Sequence, residues 1–181
     1  MSLLVNLRLL ATYNQTMNAR LYQLASGLPV AVLKENKGAF FGSIQNTLNH
    51  LLVADLIWLR RFEKHPAQFS ALTALDQFSV PTALDQLLYE DFALQFERRK
   101  NLDALIVAFV EALSENDLAV NLHYRSIKDL PFTRNFGSLL LHFFNHQTHH
   151  RGQATTLLSQ CGIDVGVTDF LALIPDLTEA N

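Results

Sequence analysis

The chain has 181 residues, 49% hydrophobic and 17% charged, with a net charge of −3, a balance that suits a globular chain with a real core and supplies no basic stripe for a nucleic-acid backbone. Its lone cysteine, Cys161, excludes an intramolecular disulfide, and no run reaches the ~20 apolar residues of a membrane helix. The first residues lack the basic, apolar and small-residue order of a secretory signal, so one cytoplasmic domain over 1–181 is expected.

From Leu3 to about Leu24, leucines and Met17 recur at three- and four-residue steps, which predicts an amphipathic helix with one buried stripe. Asn14 falls within that stripe, so its amide is either tied to a neighbouring helix or faces a polar pocket. Residues 26–42 hold Gly27, Pro29, Gly38 and Gly42 and read as a long connection with at most a short turn of helix. A second helix over 43–64 is apolar around so much of its girth that it should be buried on two sides. His50 lies near Ala54, Ile57 and Arg61 by helical angle, and by itself reads as a satisfied core or boundary histidine. Asp55 projects about 140° away from it and needs a donor on another helix or at a subunit interface.

Residues 65–81 show no sustained period, and Thr82 with Asp85 three positions on resembles a capping box, so a third helix is expected from there to about Leu113. Asp91, Gln95 and Arg98 interrupt its stripe, which a kink, a solvated mid-face or polar groups beside a central cavity would each explain. Residues 119–124 and 130–133 predict a short hairpin across one end of the helices. Asn135 can cap a last helix that stops at Gly162, and residues 170–174 before Pro175 should dock before a polar end.

That last helix carries the chemistry. Leu139, Phe143, His146, His150, Ala154 and Leu157 fall on one stripe, with His142, His149 and Gln153 at its flank. Two inward imidazoles one turn apart want partners for four nitrogens, and a metal ion would satisfy them. His50 from another helix would complete a three-nitrogen set of the kind found in open catalytic sites. A metallopeptidase has Glu after its first helical histidine, but that place is Gln147, which cannot act as a base. No Ser-His-Asp or Cys-His nucleophile and no phosphate-cradling glycine loop is visible.

Tyr13-Asn14 and Asn18, Thr47-Leu-Asn-His50 with Ala54-Asp55 and Trp58-Leu59, and the run from Asn145 to Gln153 resemble the DinB/YfiT-like family over nearly the whole chain. The resemblance implies an all-α, up-down-down-up four-helix bundle, usually a homodimer, with one divalent metal on three side chains. Carried over, the ligands are His50, His146 and His150, with Zn²⁺ or Ni²⁺ the expected ion. Family members include S-transferases and isomerases that use low-molecular-weight thiols, and proteins described as metal-dependent hydrolases. A non-catalytic, stress-associated bundle with a structural ion is the alternative. Neither spacing nor resemblance assigns roles to Asp55, His142, His149, Arg151 or Gln153.

Overall fold

The computed structural model describes residues 2–176 and 178. Helix α1 spans Leu3–Ala25, with the Ser2 hydroxyl accepting from the Val5 N–H at its start. A short α2, Val30–Lys34, interrupts the connection to α3, Ile44–Phe62, which Ser43 caps by accepting from Asn46 N–H. A 3₁₀ segment, Ser70–Gln77, leads toward α4, Phe92–Glu111. Then come α5, Glu115–Leu118, the antiparallel strands β1, Asn121–Arg125, and β2, Pro131–Asn135, and α6, Phe136–Gln160. Among the described residues, no helix is long and apolar enough to cross a membrane.

Side-chain pairings define the topology of the four long helices. Asp55 meets Arg99 and Phe62 meets Phe109, so α3 and α4 run parallel. His50 meets His146 and Trp58 meets His142, so α3 and α6 run antiparallel. Arg8 pairs with Glu111 and Asn18 with Asp103, which makes α1 antiparallel to α4. The result is the expected up-down-down-up helical bundle, whose parallel neighbours require the long connection over residues 63–91.

The third long helix differs from the sequence expectation. It begins at Phe92, with Asp91 accepting from Leu94 N–H as N-cap, and not near Thr82, whose hydroxyl and N–H instead bind the Gln86 side chain. Residues 82–90 lie as irregular chain across α3 because α3 satisfies their backbone. Asn49 donates to the Gln86 carbonyl and accepts from Leu88 N–H, and Gln45 donates to the carbonyls of Tyr89 and Glu90. These bonds offer the backbone an alternative to helix. Of the three polar residues that interrupt the α4 stripe, Asp91 is exposed, Arg98 half-buried and Gln95 enclosed. Gln95 is buried and bonded to Tyr22 and the Gln45 carbonyl.

Gln95 borders a polar layer that crosses the waist of the bundle and separates two apolar clusters. Asn14 and Asn18 of α1, Asp55 of α3, Arg99 and Asp103 of α4, and Gln147 and Arg151 of α6 are all buried in it. Arg99 bonds Asp55 at 2.7 Å and Asp103 at 2.8 Å, Asn18 donates to Asp103 at 3.0 Å, and Gln147 donates to Asp55. Arg151 donates to Asn14 and lies over the Tyr13 ring. With both acids ionised and both arginines protonated the layer carries no net charge, which is what makes its burial tolerable. Asn14 is thus tied to a neighbouring helix.

The hairpin packs on the bundle through Leu122 and Tyr124, as expected. Helix α6 ends where Gly162 takes φ +77° and the Ile163 N–H returns to the Leu158 carbonyl, a Schellman closure. The segment that follows docks on α1, with the Tyr13 hydroxyl donating to the Thr168 carbonyl at 2.6 Å and its ring edge-on to Phe170. The polar end beyond lies mostly outside the described residues.

Candidate metal centre

Antiparallel packing of α3 on α6 brings His50 opposite His146 and His150, one helical turn apart. One ligand atom from each of the three lies within 4.8 Å of the others. The Nε2 atoms of His50 and His146 are 3.4 Å apart, close to the ~3.3 Å that separates two nitrogens bound at ~2.0–2.1 Å to one tetrahedral ion. His50 Nδ1 donates to the Leu84 carbonyl at 2.9 Å, and His150 Nδ1 to Gln153 Oε1 at 2.8 Å. Those bonds orient the rings and leave Nε2 lone pairs facing inward, the outer support typical of metal-ligating histidines. The donor set fits a divalent cation of borderline softness.

Electrostatics keep the set neutral. Burial lowers the pKa of His50, His146 and His150, and the neighbouring imidazoles lower it further, with His146 pushed down to about 3. A neutral imidazole is the form that binds metal.

The irregular run 82–90, by supplying the Leu84 carbonyl, holds His50 in place, a role invisible in a segment read from sequence as helix. Phe41 is a second contributor missed there, because it sits in an aperiodic connection. Its ring stacks on His50 at 4.0 Å and 19°, and meets His150 edge-on at 5.5 Å. A tight turn presents it: Lys37 N–H donates to the Gly42 carbonyl, Gly42 N–H to the Ala39 carbonyl, and Gly38 and Gly42 take φ +70° and +80°, angles that glycine adopts without strain.

The flanking histidines do not join the set. His149 is exposed and pairs with Gln153 at 3.3 Å, and His142 is exposed and stands edge-on to Trp58 at 5.1 Å. Gln147 points away from the site into the waist layer, donating to Asp55. A carboxylate at 147 would therefore face Asp55 and not a bound ion. Asp55 finds the donors the sequence demanded, although Arg99 and Asp103, which complete its surroundings, drew no notice there; their i, i+4 spacing on α4 was the available signal. The shared Asp55–Gln147 bond ties the registers of α3 and α6, the two helices that carry the three histidines. A cavity of about 460 Å³ lined by Tyr13, Met17, Arg151 and Phe170 lies between α1, α6 and the docked tail, away from the histidines.

The sequence matches the model of the DinB family over residues 1–177. Protein DinB of Bacillus subtilis (strain 168) is 25% identical over 159 residues, covering 87% of each chain. No solved structure matches the chain.

Proposed function

The chain belongs to the DinB family, and from that premise we propose that it holds one divalent cation, Zn²⁺ or Ni²⁺, through His50, His146 and His150 and activates a thiol or a water for group transfer or hydrolysis. The observation that carries this reading is the facing pair of Nε2 atoms of His50 and His146 at 3.4 Å, with the His50 ring set by the Leu84 carbonyl and the His150 ring by Gln153. When bound, such a cation lowers the pKa of a thiol or water and so makes a nucleophile available at neutral pH. The protein's own residues hold the three nitrogens neutral and convergent, and Phe41 covers one side. Among the described residues the cluster contains no fourth histidine, cysteine or carboxylate, which favours an open position over a closed structural site. The proposal includes a small-molecule thiol as substrate and, from the family resemblance, a homodimer.

Elemental analysis of the purified protein tests the reading, with stoichiometric metal expected. Added Zn²⁺ at a hundred times its Kd should stabilise the fold by about 2.7 kcal/mol, and the triple variant His50→Ala, His146→Ala, His150→Ala should lose that response. A metal-free protein whose melting temperature ignores Zn²⁺ and Ni²⁺ overturns it. An unchanged Co²⁺ spectrum on adding small thiols would leave the ion structural.

A further inference from the structure

Arg60 and Arg61 are adjacent on α3 and differ sharply in their surroundings. Arg60 bonds Glu63 and Asp76, each at 3.0 Å. Among the described residues Arg61 has no carboxylate partner; its guanidinium lies half-buried between Trp58, at 4.5 Å, and Tyr124, at 5.3 Å. On the hairpin, Arg125 pairs with Asp129, whereas among the described residues Arg134 has no carboxylate partner and lies over the Phe132 ring, at 4.8 Å. Arg134 stands opposite Leu122 in the ladder, hence on the face turned toward the bundle.

The two cations share one aromatic cluster: Arg61 lies over Trp58 and Tyr124, Arg134 over Phe132, and Tyr124 stacks on Phe132 at 5.8 Å. His142 links this cluster to the three histidines: its ring is 5.1 Å from Trp58 and 6.1 Å from His146. The charges of Arg134 and Arg61 reach His142, adding to burial in lowering its pKa. Nothing acidic on α3 or α6 offsets them. Helix α6 contains no Asp or Glu, and the only acid of α3, Asp55, is buried and committed to Arg99. Arg61 is half-buried and Arg134 exposed, and cations held on aromatic faces without a counter-ion are free to take an anion.

We propose that Arg61 and Arg134 bind an anionic group of the substrate whose reacting atom lies at the three histidines. The inference rests on the metal-site reading for the position of the reacting atom. Arg61 is eleven residues from His50, ~16 Å of helix rise, which the side chain shortens by leaning back over Trp58. The substrate is therefore an elongated anion of about tripeptide size, carrying its carboxylate or phosphate roughly 10 Å from the reacting end.

The test uses the Co²⁺-loaded full chain titrated with glutathione and with its diethyl ester, which differ only in esterification of the carboxylates. Wild type should hold the free acid about tenfold more tightly, the scale of one charge-assisted hydrogen bond. In Arg61→Met and in the exposed Arg134→Gln that preference should shrink to within about twofold, with Co²⁺ content and the response to 2-mercaptoethanol unchanged. Equal binding of acid and ester by wild type, or a preference that survives both substitutions, overturns the proposal. Trp58, the single tryptophan of the chain, gives a readout independent of metal. Citrate or inorganic phosphate should alter its fluorescence in wild type and not in the variants, the stronger of the two naming the anion. No response to either anion counts against the site even where metal binding itself fails.

Discussion

Of the three proposed ligands, His146 is the one for which protons compete least. Its pKa of about 3, set first by burial and then by His150 and His50, means that mild acid does not protonate it. Three imidazoles at the ordinary value of 6.5 would lose several hundredfold, roughly, in cation affinity between pH 7 and pH 5.5. A loss below about tenfold is expected here, measured by competition with a chromophoric chelator at the two pH values. The cation-free protein should behave in the complementary way. A group whose pKa falls on folding contributes stability above its unfolded value, so that contribution erodes as pH drops from about 6.5 toward 3. Gln147 offers the second residue-scale experiment. Gln147→Glu would not supply a peptidase base, because the side chain faces Asp55. A second buried carboxylate there should cost about 3 kcal/mol or more, read from urea denaturation, with no hydrolysis of peptides gained.

At the scale of elements, α4 is the one that sequence signals misplaced. Asp91→Ala should cost about 1 kcal/mol by removing the N-cap, while Thr82→Ala should leave helix content unchanged. Far-ultraviolet circular dichroism and denaturation of the two variants check the difference, and a loss of helix in Thr82→Ala would contradict the observed start. Both sites carry the kind of residue that begins a helix, and local chemistry could not choose between them. The choice is made by Asn49 and Gln45, thirty-seven to forty-five residues away in sequence, which bind residues 86–90 as open chain. By contrast α1, α3 and α6 were legible from their apolar stripes, and for α6 the ends agree as well: Asn135 caps as read and Gly162 closes the helix. The hairpin was legible from alternation flanking Ser126–Asp129. Within the site, helical spacing alone pointed His146 and His150 inward. The support from Leu84 and Phe41 was not legible, since Leu84 reads as part of a helical stripe, Phe41 sits in an aperiodic connection, and each reaches the histidines through tertiary folding.

For the whole molecule, the buried layer of Asp55, Arg99 and Asp103 is expected to matter more for arrangement than for stability. Replacing the three together with the buried Asn14, Asn18, Gln147 and Arg151 by apolar residues of similar volume should leave the urea midpoint equal or higher, since a whole buried polar network can often be exchanged without loss provided no charge is left unpaired. Metal affinity should fall at the same time, and the amide spectrum should broaden. Retention of full affinity and sharp resonances would show that apolar shape alone is sufficient. The reason for the expected outcome is combinatorial. Four amphipathic helices can also be threaded in simple alternation, each beside its chain neighbour, and greasy stripes alone scarcely distinguish that competitor. Alternation would set α1 diagonal to α4 and α3 diagonal to α6, severing Asn18 from Asp103 and Asp55 from Gln147 and stranding their polar groups in hydrocarbon. The same mis-threading would part His50 from His146 and His150. The waist layer thus acts as an address label: by penalising the wrong wiring of the chain, it brings together histidines ninety-six residues apart in sequence.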